Sequence, residues 1–192
     1  MPTLLDILYE VVVSPTRTFS ALSQRKPWRW ALVTAVSIAL VFAFVLLPNP
    51  PQLVDIILDL DRGTMPMAPA VVVWIIMFLA LLSLQAGLFH ILAMLLRGRG
   101  TYPGMLCGLC FVWLPAFLVA PLALLRAILD SSSGHLIYIL GSVVLALWVL
   151  LLYFIAIRQN YHLSPVRTGV TCFIPLFLIF ALPPLIVAAT QV

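Results

Sequence analysis

Few residues of this 192-residue chain are equipped for chemistry. Cys107-Gly-Leu-Cys110 has the Cys-x-x-Cys form used in thiol–disulfide exchange, and on a helix the two side chains would share a face. Exchange proceeds through an accessible thiolate, whereas this pair sits inside an apolar run with no second cysteine pair to pass electrons on. The expectation is a packing role, small residues letting helices approach with Gly104 and Gly108 beside them. A membrane thiol oxidoreductase is the function with least support.

Of the His, Asp, Glu, Lys and Arg side chains, His90 is the one well inside an apolar run. Ser83, Gly87, His90, Met94 and Arg97 follow at spacings of four, three, four and three, one helical face, with Gln85 off to the side. One role is packing: Ser83 and Gly87 make a small-xxx-small contact and His90 hydrogen-bonds to a neighbouring helix. The other is an intramembrane polar site of Ser83, Gln85 and His90, with His90 and Arg97 holding a lipid headgroup or small ligand. No second His, carboxylate or suitably spaced Cys stands nearby, so no metal is expected.

Ser-Pro-x-Arg-Thr occurs twice, at 14–18 and 164–168. Ser is a favoured helix N-cap and Pro suits the first helical position, so each copy predicts a helix start. An arginine in the first turn opposes the helix dipole, so Arg17 and Arg167 need another justification. Lipid phosphate supplies one, since a basic residue near an anionic bilayer surface contributes about 1 kcal/mol.

These residues must be positioned by membrane helices. The chain is 64% hydrophobic and 8% charged, with a mean hydropathy of +1.20, and cannot clothe a soluble globule. Five apolar runs, uncharged apart from Arg29 at the start of the first, reach the roughly 20 residues a crossing needs: 28–47, 71–96, 105–125, 136–157 and 169–189. They are apolar on every face, which argues for helices over barrel strands. The fold class expected is all-α, a polytopic bundle of five transmembrane helices, 28–192, preceded by a cytoplasmic amphipathic segment, 1–27. In that segment Leu4, Leu5, Leu8 and Val12 recur at helical spacing, the pattern of an interfacial helix. It lacks a basic leader and does not read as a cleaved signal peptide.

The formal charge of +4 matters less than its placement. Arg17, Arg25, Lys26, Arg29, Arg97, Arg99, Arg158 and Arg167 all fall on one side of the spans, and Asp55, Asp59, Asp61 and Asp130 on the other. The positive-inside rule then puts the N-terminus in the cytoplasm and, with five spans, the C-terminus on the opposite side. A short helix is expected in the far-side loop at 52–61. Pro115, Pro121, Pro175, Pro183 and Pro184 should kink or end the third and fifth spans, and such kinks can frame a cavity. No Asp, Glu, Lys or Arg lies at the centre of a span, which argues against ion-coupled transport and intramembrane hydrolysis. No phosphate loop, catalytic triad or nucleotide fingerprint appears, so neither enzyme activity nor a cofactor is expected, nor a nucleic-acid partner.

Several elements line up in order: Pro15 and Phe19 before the first span, Gly98 and Gly100 before the third, Pro115 inside it, and Tyr161, Leu163 and Ser164 opening the fifth. This layout resembles the Yip family, membrane proteins that interact with Rab GTPases, in its short bacterial form. The resemblance implies an integral protein of the bacterial inner membrane with a cytoplasmic N-terminus and no catalytic site. Eukaryotic relatives carry a long polar tail and an Asp-Leu-Tyr-Gly-Pro element, and this chain has neither.

The expected function is membrane organisation, or trafficking-like recruitment of a lipid or a partner, through the basic cytoplasmic face: Arg17, Arg97, Arg99 and Arg167. The partners expected are membrane lipids, anionic ones foremost, with a membrane-protein partner or self-association beside them. The alternative is a transporter or scramblase of lipid-like molecules whose path is lined by Ser83, Gln85 and His90 beside the kinked third and fifth spans.

Overall fold

Hydrocarbon offers a backbone no water to bond with, so an apolar run must close its hydrogen bonds within itself as a helix. The computed structural model describes residues 4–46, 67–129, 132–175 and 177, and these runs are helical. Two short helices, α1 (Leu4–Val13) and α2 (Pro15–Arg25), precede α3 (Trp28–Leu46) and α4 (Met67–Leu95). Then come α5 (Tyr102–Val112), a 3-10 turn (Leu114–Leu118), α6 (Val119–Leu129) and α7 (Ser132–Tyr161). A last helix, α8, covers 165–175.

Four stretches are long and apolar enough to cross a membrane: Trp28–Val45, Ala68–Leu95, Tyr102–Leu129 and Ser133–Tyr161. The expected fifth span is helical over 169–175, and the rest of it lies outside the described residues, apart from 177. So do the expected loop helix at 52–61 and the four acids of that side. Three spans run longer than the sequence suggests, one starting at Ala68 rather than Val71, one covering Tyr102–Leu129 rather than 105–125, and one covering Ser133–Tyr161 rather than 136–157. At 1.5 Å per residue the 30-residue α7 is about 45 Å long, more than the hydrocarbon layer needs.

The third span is broken where Pro115 lacks an amide hydrogen. One 3-10 turn, with Ala116 N–H donating to Trp113 O at 2.9 Å, carries the chain from α5 to α6. Pro121 does no comparable damage, because it stands in the first turn of α6, where its amide would have no helical partner.

Small residues set the helix spacing. Ala31, Ala35, Ala39 and Ala43 recur every fourth residue along α3 and are fully buried, so α4 and α5 can pack closely against that face. The Trp74 indole on α4 donates to the Ala39 carbonyl at 3.0 Å, tying the pair together. The main core gathers Leu82, Ala86 and Phe89 of α4, Met105 and Leu109 of α5, and Leu152 of α7.

The N-terminal helices join this same core. Phe19 and Leu22 of α2 are buried in it, and α2 packs against α5 and α7. Among the described side chains of α1, Ile7 and Val11 are buried, while Leu8 is half-buried and Val12 exposed. Ile7 and Val11 meet protein, whereas Tyr9, Val12 and Val13 look outward.

Candidate functional site

The two Ser-Pro-x-Arg-Thr copies fold alike, and their threonines explain why. Thr18 gives both its N–H and its hydroxyl to the Ser14 carbonyl, at 3.2 and 3.0 Å. Thr168 does the same to Ser164, at 2.9 Å for each bond. Both threonines are buried and both arginines exposed. The expected side-chain cap is absent at Ser14, whose hydroxyl points back to the Glu10 carbonyl at a long 3.5 Å. In this motif the threonine hydroxyl, buried among apolar neighbours, finds its partner on the preceding turn.

Ser164 opens α8 beside the end of α4, and here the two loops of one end of the bundle are stitched together. Arg99 N–H donates to Tyr161 O at 3.0 Å, Asn160 Nδ2 to Thr101 O at 3.0 Å, and Arg167 Nη1 to Leu96 O at 3.4 Å. The helix α4 closes with Arg97 in the left-handed region, φ 64°; Gly98 N–H reaches Ala93 O at 2.8 Å and Arg97 N–H reaches Met94 O at 3.0 Å, a Schellman ending. The glycines of this loop serve a different need. A Cβ on Gly100 would overlap the Asn160 carbonyl oxygen, and one on Gly104 would overlap Asn160 Oδ1. Only bare backbone lets this loop and the first turn of α5 lie against the end of α7.

Of the eight basic residues on this side, seven are exposed and Lys26 is half-buried. Arg97 and Arg99 are carried on the loop after α4 and Arg167 on the first turn of α8, which is bonded to that loop, while Arg17 stands on α2. At the other end Arg126 lies over the Tyr138 ring, 5.4 Å from its centroid.

The expected intramembrane set divides, Gln85 turning to Tyr153 while Ser83 and His90 both meet Tyr102. Gln85, off to the side in the helical projection, is the residue that faces the core: Tyr153 donates its hydroxyl to Gln85 Oε1 at 2.8 Å. Phe89 and Trp113 pack on that tyrosine, with ring centroids 5.6 and 6.1 Å away. His90 is half-buried, and its Nδ1 shares a hydrogen bond with the Tyr161 hydroxyl at 3.0 Å, the cross-helix role expected of it. Ser83 contributes its carbonyl, which accepts from Tyr102 OH at 3.3 Å. Gly87 makes no close contact, since an added Cβ would meet nothing within 4 Å; the small-xxx-small pairing belongs instead to the alanines of α3.

A groove of about 1090 Å³ does open beside the break in the third span. Phe42, Trp113, Val119, Val149, Phe173 and Phe177 are among its walls. Neither Ser83, Gln85 nor His90 lines it, so a lipid path through this bundle would run along α7 and α8 and not along the polar side of α4.

Cys107, Cys110 and Cys172 are free and buried, and Cys110 Sγ donates to Leu106 O at 3.3 Å. Among the described residues no three His, Cys, Asp or Glu side chains come together as a metal site. The residues that the sequence alone did not single out are Asn160, Tyr153 and Trp113, while Tyr161 stood out only as the start of the fifth span. Polar or aromatic types at span ends and opposite small residues were the available signal for them.

The Yip1 domain family matches residues 9–186. No curated protein and no solved structure matches the chain.

Proposed function

Because the chain belongs to the Yip1-domain family, a family of multi-pass membrane proteins, we propose that it organises its membrane without catalysing a reaction, by holding anionic lipid against its basic end. The observation that carries this is the convergence of eight basic side chains, seven of them exposed, on one end of the bundle. By the positive-inside rule that end faces the cytoplasm, where anionic lipid surfaces attract juxtamembrane arginines. Among the described residues Asp6 and Glu10 are the acids, both on α1, so the field of this end is strongly positive.

The test is extraction from native membranes in polymer nanodiscs, without detergent, followed by identification of the lipids and proteins that travel with the chain. Enrichment of anionic phospholipid over the bulk membrane, lost when Arg17 and Arg167 are both changed to Glu, is expected. A lipid profile equal to bulk and unchanged by the reversal would sink the reading. A protein lost on reversal, with no lipid enrichment, would replace it by an adaptor role.

The groove beside the third span favours a second reading, movement of lipid-like molecules along α7 and α8. Flux of labelled lipid across liposomes containing the purified chain is its test, and no flux above protein-free liposomes would end it.

A further inference from the structure

Helix electrostatics accounts for most of the cations at the basic end. Lys26, Arg97 and His162 are the three non-glycine residues with positive φ among those described, and each follows the C-terminus of a helix; there the charges of Lys26 and Arg97 complement the dipole. Arg167 does not fit this pattern. It stands in the first turn of α8, where the dipole disfavours it. One of its five N–H donors is used on the Leu96 carbonyl, and that bond holds the guanidinium beside the turn that carries Arg97. Residues 96–101 and 162–164 contain no carboxylate, and among the described residues neither arginine has an acidic partner. The Arg167 guanidinium is thus held beside the turn that carries Arg97, 70 positions earlier in the chain, with no carboxylate in either segment.

The surface below the pair suits a lipid. Ile91 and Leu95 on α4, and Val166, Val170 and Phe173 on α8, are exposed apolar side chains within a few turns of the arginines. A phosphate at Arg97 and Arg167 would complete donors that are now unmatched, and acyl chains could follow the two helices into the bilayer.

We infer that Arg97 and Arg167 form a headgroup site for an anionic phospholipid, seated where the loop after α4 meets the start of α8. This rests on the lipid-holding reading above and narrows it from a charged face to one site.

The experiment uses the full chain in nanodiscs of phosphatidylcholine doped with phosphatidylglycerol, reading phosphatidylglycerol retained per protein by native mass spectrometry. The unmodified chain should retain one molecule, and R97Q/R167Q should lower retention roughly thirtyfold, at about 1 kcal/mol for each arginine. R25Q/R29Q, which changes exposed cations elsewhere on the same end, should leave it unchanged, and inorganic phosphate should fail to displace the lipid. Should the double variant not fold, R97Q alone carries the test, because it leaves the bond from Arg167 to Leu96 in place. Equal losses in both double variants overturn the site and leave the charged face standing. No loss in either overturns both, and displacement by inorganic phosphate overturns the lipid assignment.

Discussion

Substituting Gly100 by Ala tests the stitched loops directly. The new Cβ would overlap the Asn160 carbonyl oxygen and come within 2.5 Å of Tyr161 Cδ1, where ordinary contact begins near 3.4 Å. One obstacle is backbone, so the methyl fits only if the loop leaves the end of α7. Overpacking costs about 1–3 kcal/mol. Parting the loops also forfeits the Arg99–Tyr161 and Asn160–Thr101 bonds, about 1 kcal/mol each, for a total of about 3–5 kcal/mol. Gly87 is the control. Its added Cβ meets nothing within 4 Å, and Ala in a helix interior is favoured over Gly by about 0.8–1.0 kcal/mol. With about 2–4 °C per kcal/mol for a chain of this size, Gly100→Ala should lower the melting temperature by at least about 6 °C and Gly87→Ala should raise it by about 2–4 °C. A thiol-reactive fluorophore reads this, since Cys107, Cys110 and Cys172 are all buried until the bundle opens. Melting of Gly100→Ala together with the unmodified chain, or a Gly87→Ala that melts below it, would refute the steric argument.

Changing Tyr153 to Phe leaves Gln85 without its partner and should destabilise by about 1–3 kcal/mol; a double-mutant cycle with Gln85→Leu should give a coupling of about 0.6–1.7 kcal/mol, and zero coupling would show that the 2.8 Å bond contributes nothing. Thr168→Val keeps shape and removes the hydroxyl donated to Ser164, so a loss of about 0.5–1.5 kcal/mol is expected in a denaturation curve, with Thr18→Val alike; no loss in either would leave the repeated motif unexplained. Cys107 and Cys110 should resist maleimide in the folded protein and label on denaturation, and their joint replacement by Ala should leave the folded bundle's lipid retention intact. Rapid labelling of the native chain would reopen the redox reading.

The spans were legible because a helix in hydrocarbon must be apolar for its whole length, and the basic end because charge cannot cross the bilayer cheaply. What could not be read was which side of each helix faces in. In a soluble protein the polar side points to water, but lipid is as apolar as the core, so a face of Leu and Ile reads the same in either direction. That is why Gln85 seemed peripheral and yet faces Tyr153. The stitched loops were half visible. Gly98 and Gly100 marked a tight place, but the residue that requires Gly100 and Gly104 to be bare is Asn160, some 60 positions away, a pairing that no local pattern encodes.

The placement of α2 bears on how the chain is made. Its buried side chains rest on α5 and α7, so the ribosome delivers Phe19 and Leu22 more than 100 residues before the end of their resting place, Tyr161, exists. At about 5–20 residues per second, the first-made helices wait on the order of 10 s for the last-made ones. A chain cut short before the fourth span therefore presents an uncovered apolar patch at its N-terminal end, a mark by which proteolytic surveillance can tell unfinished copies from finished ones.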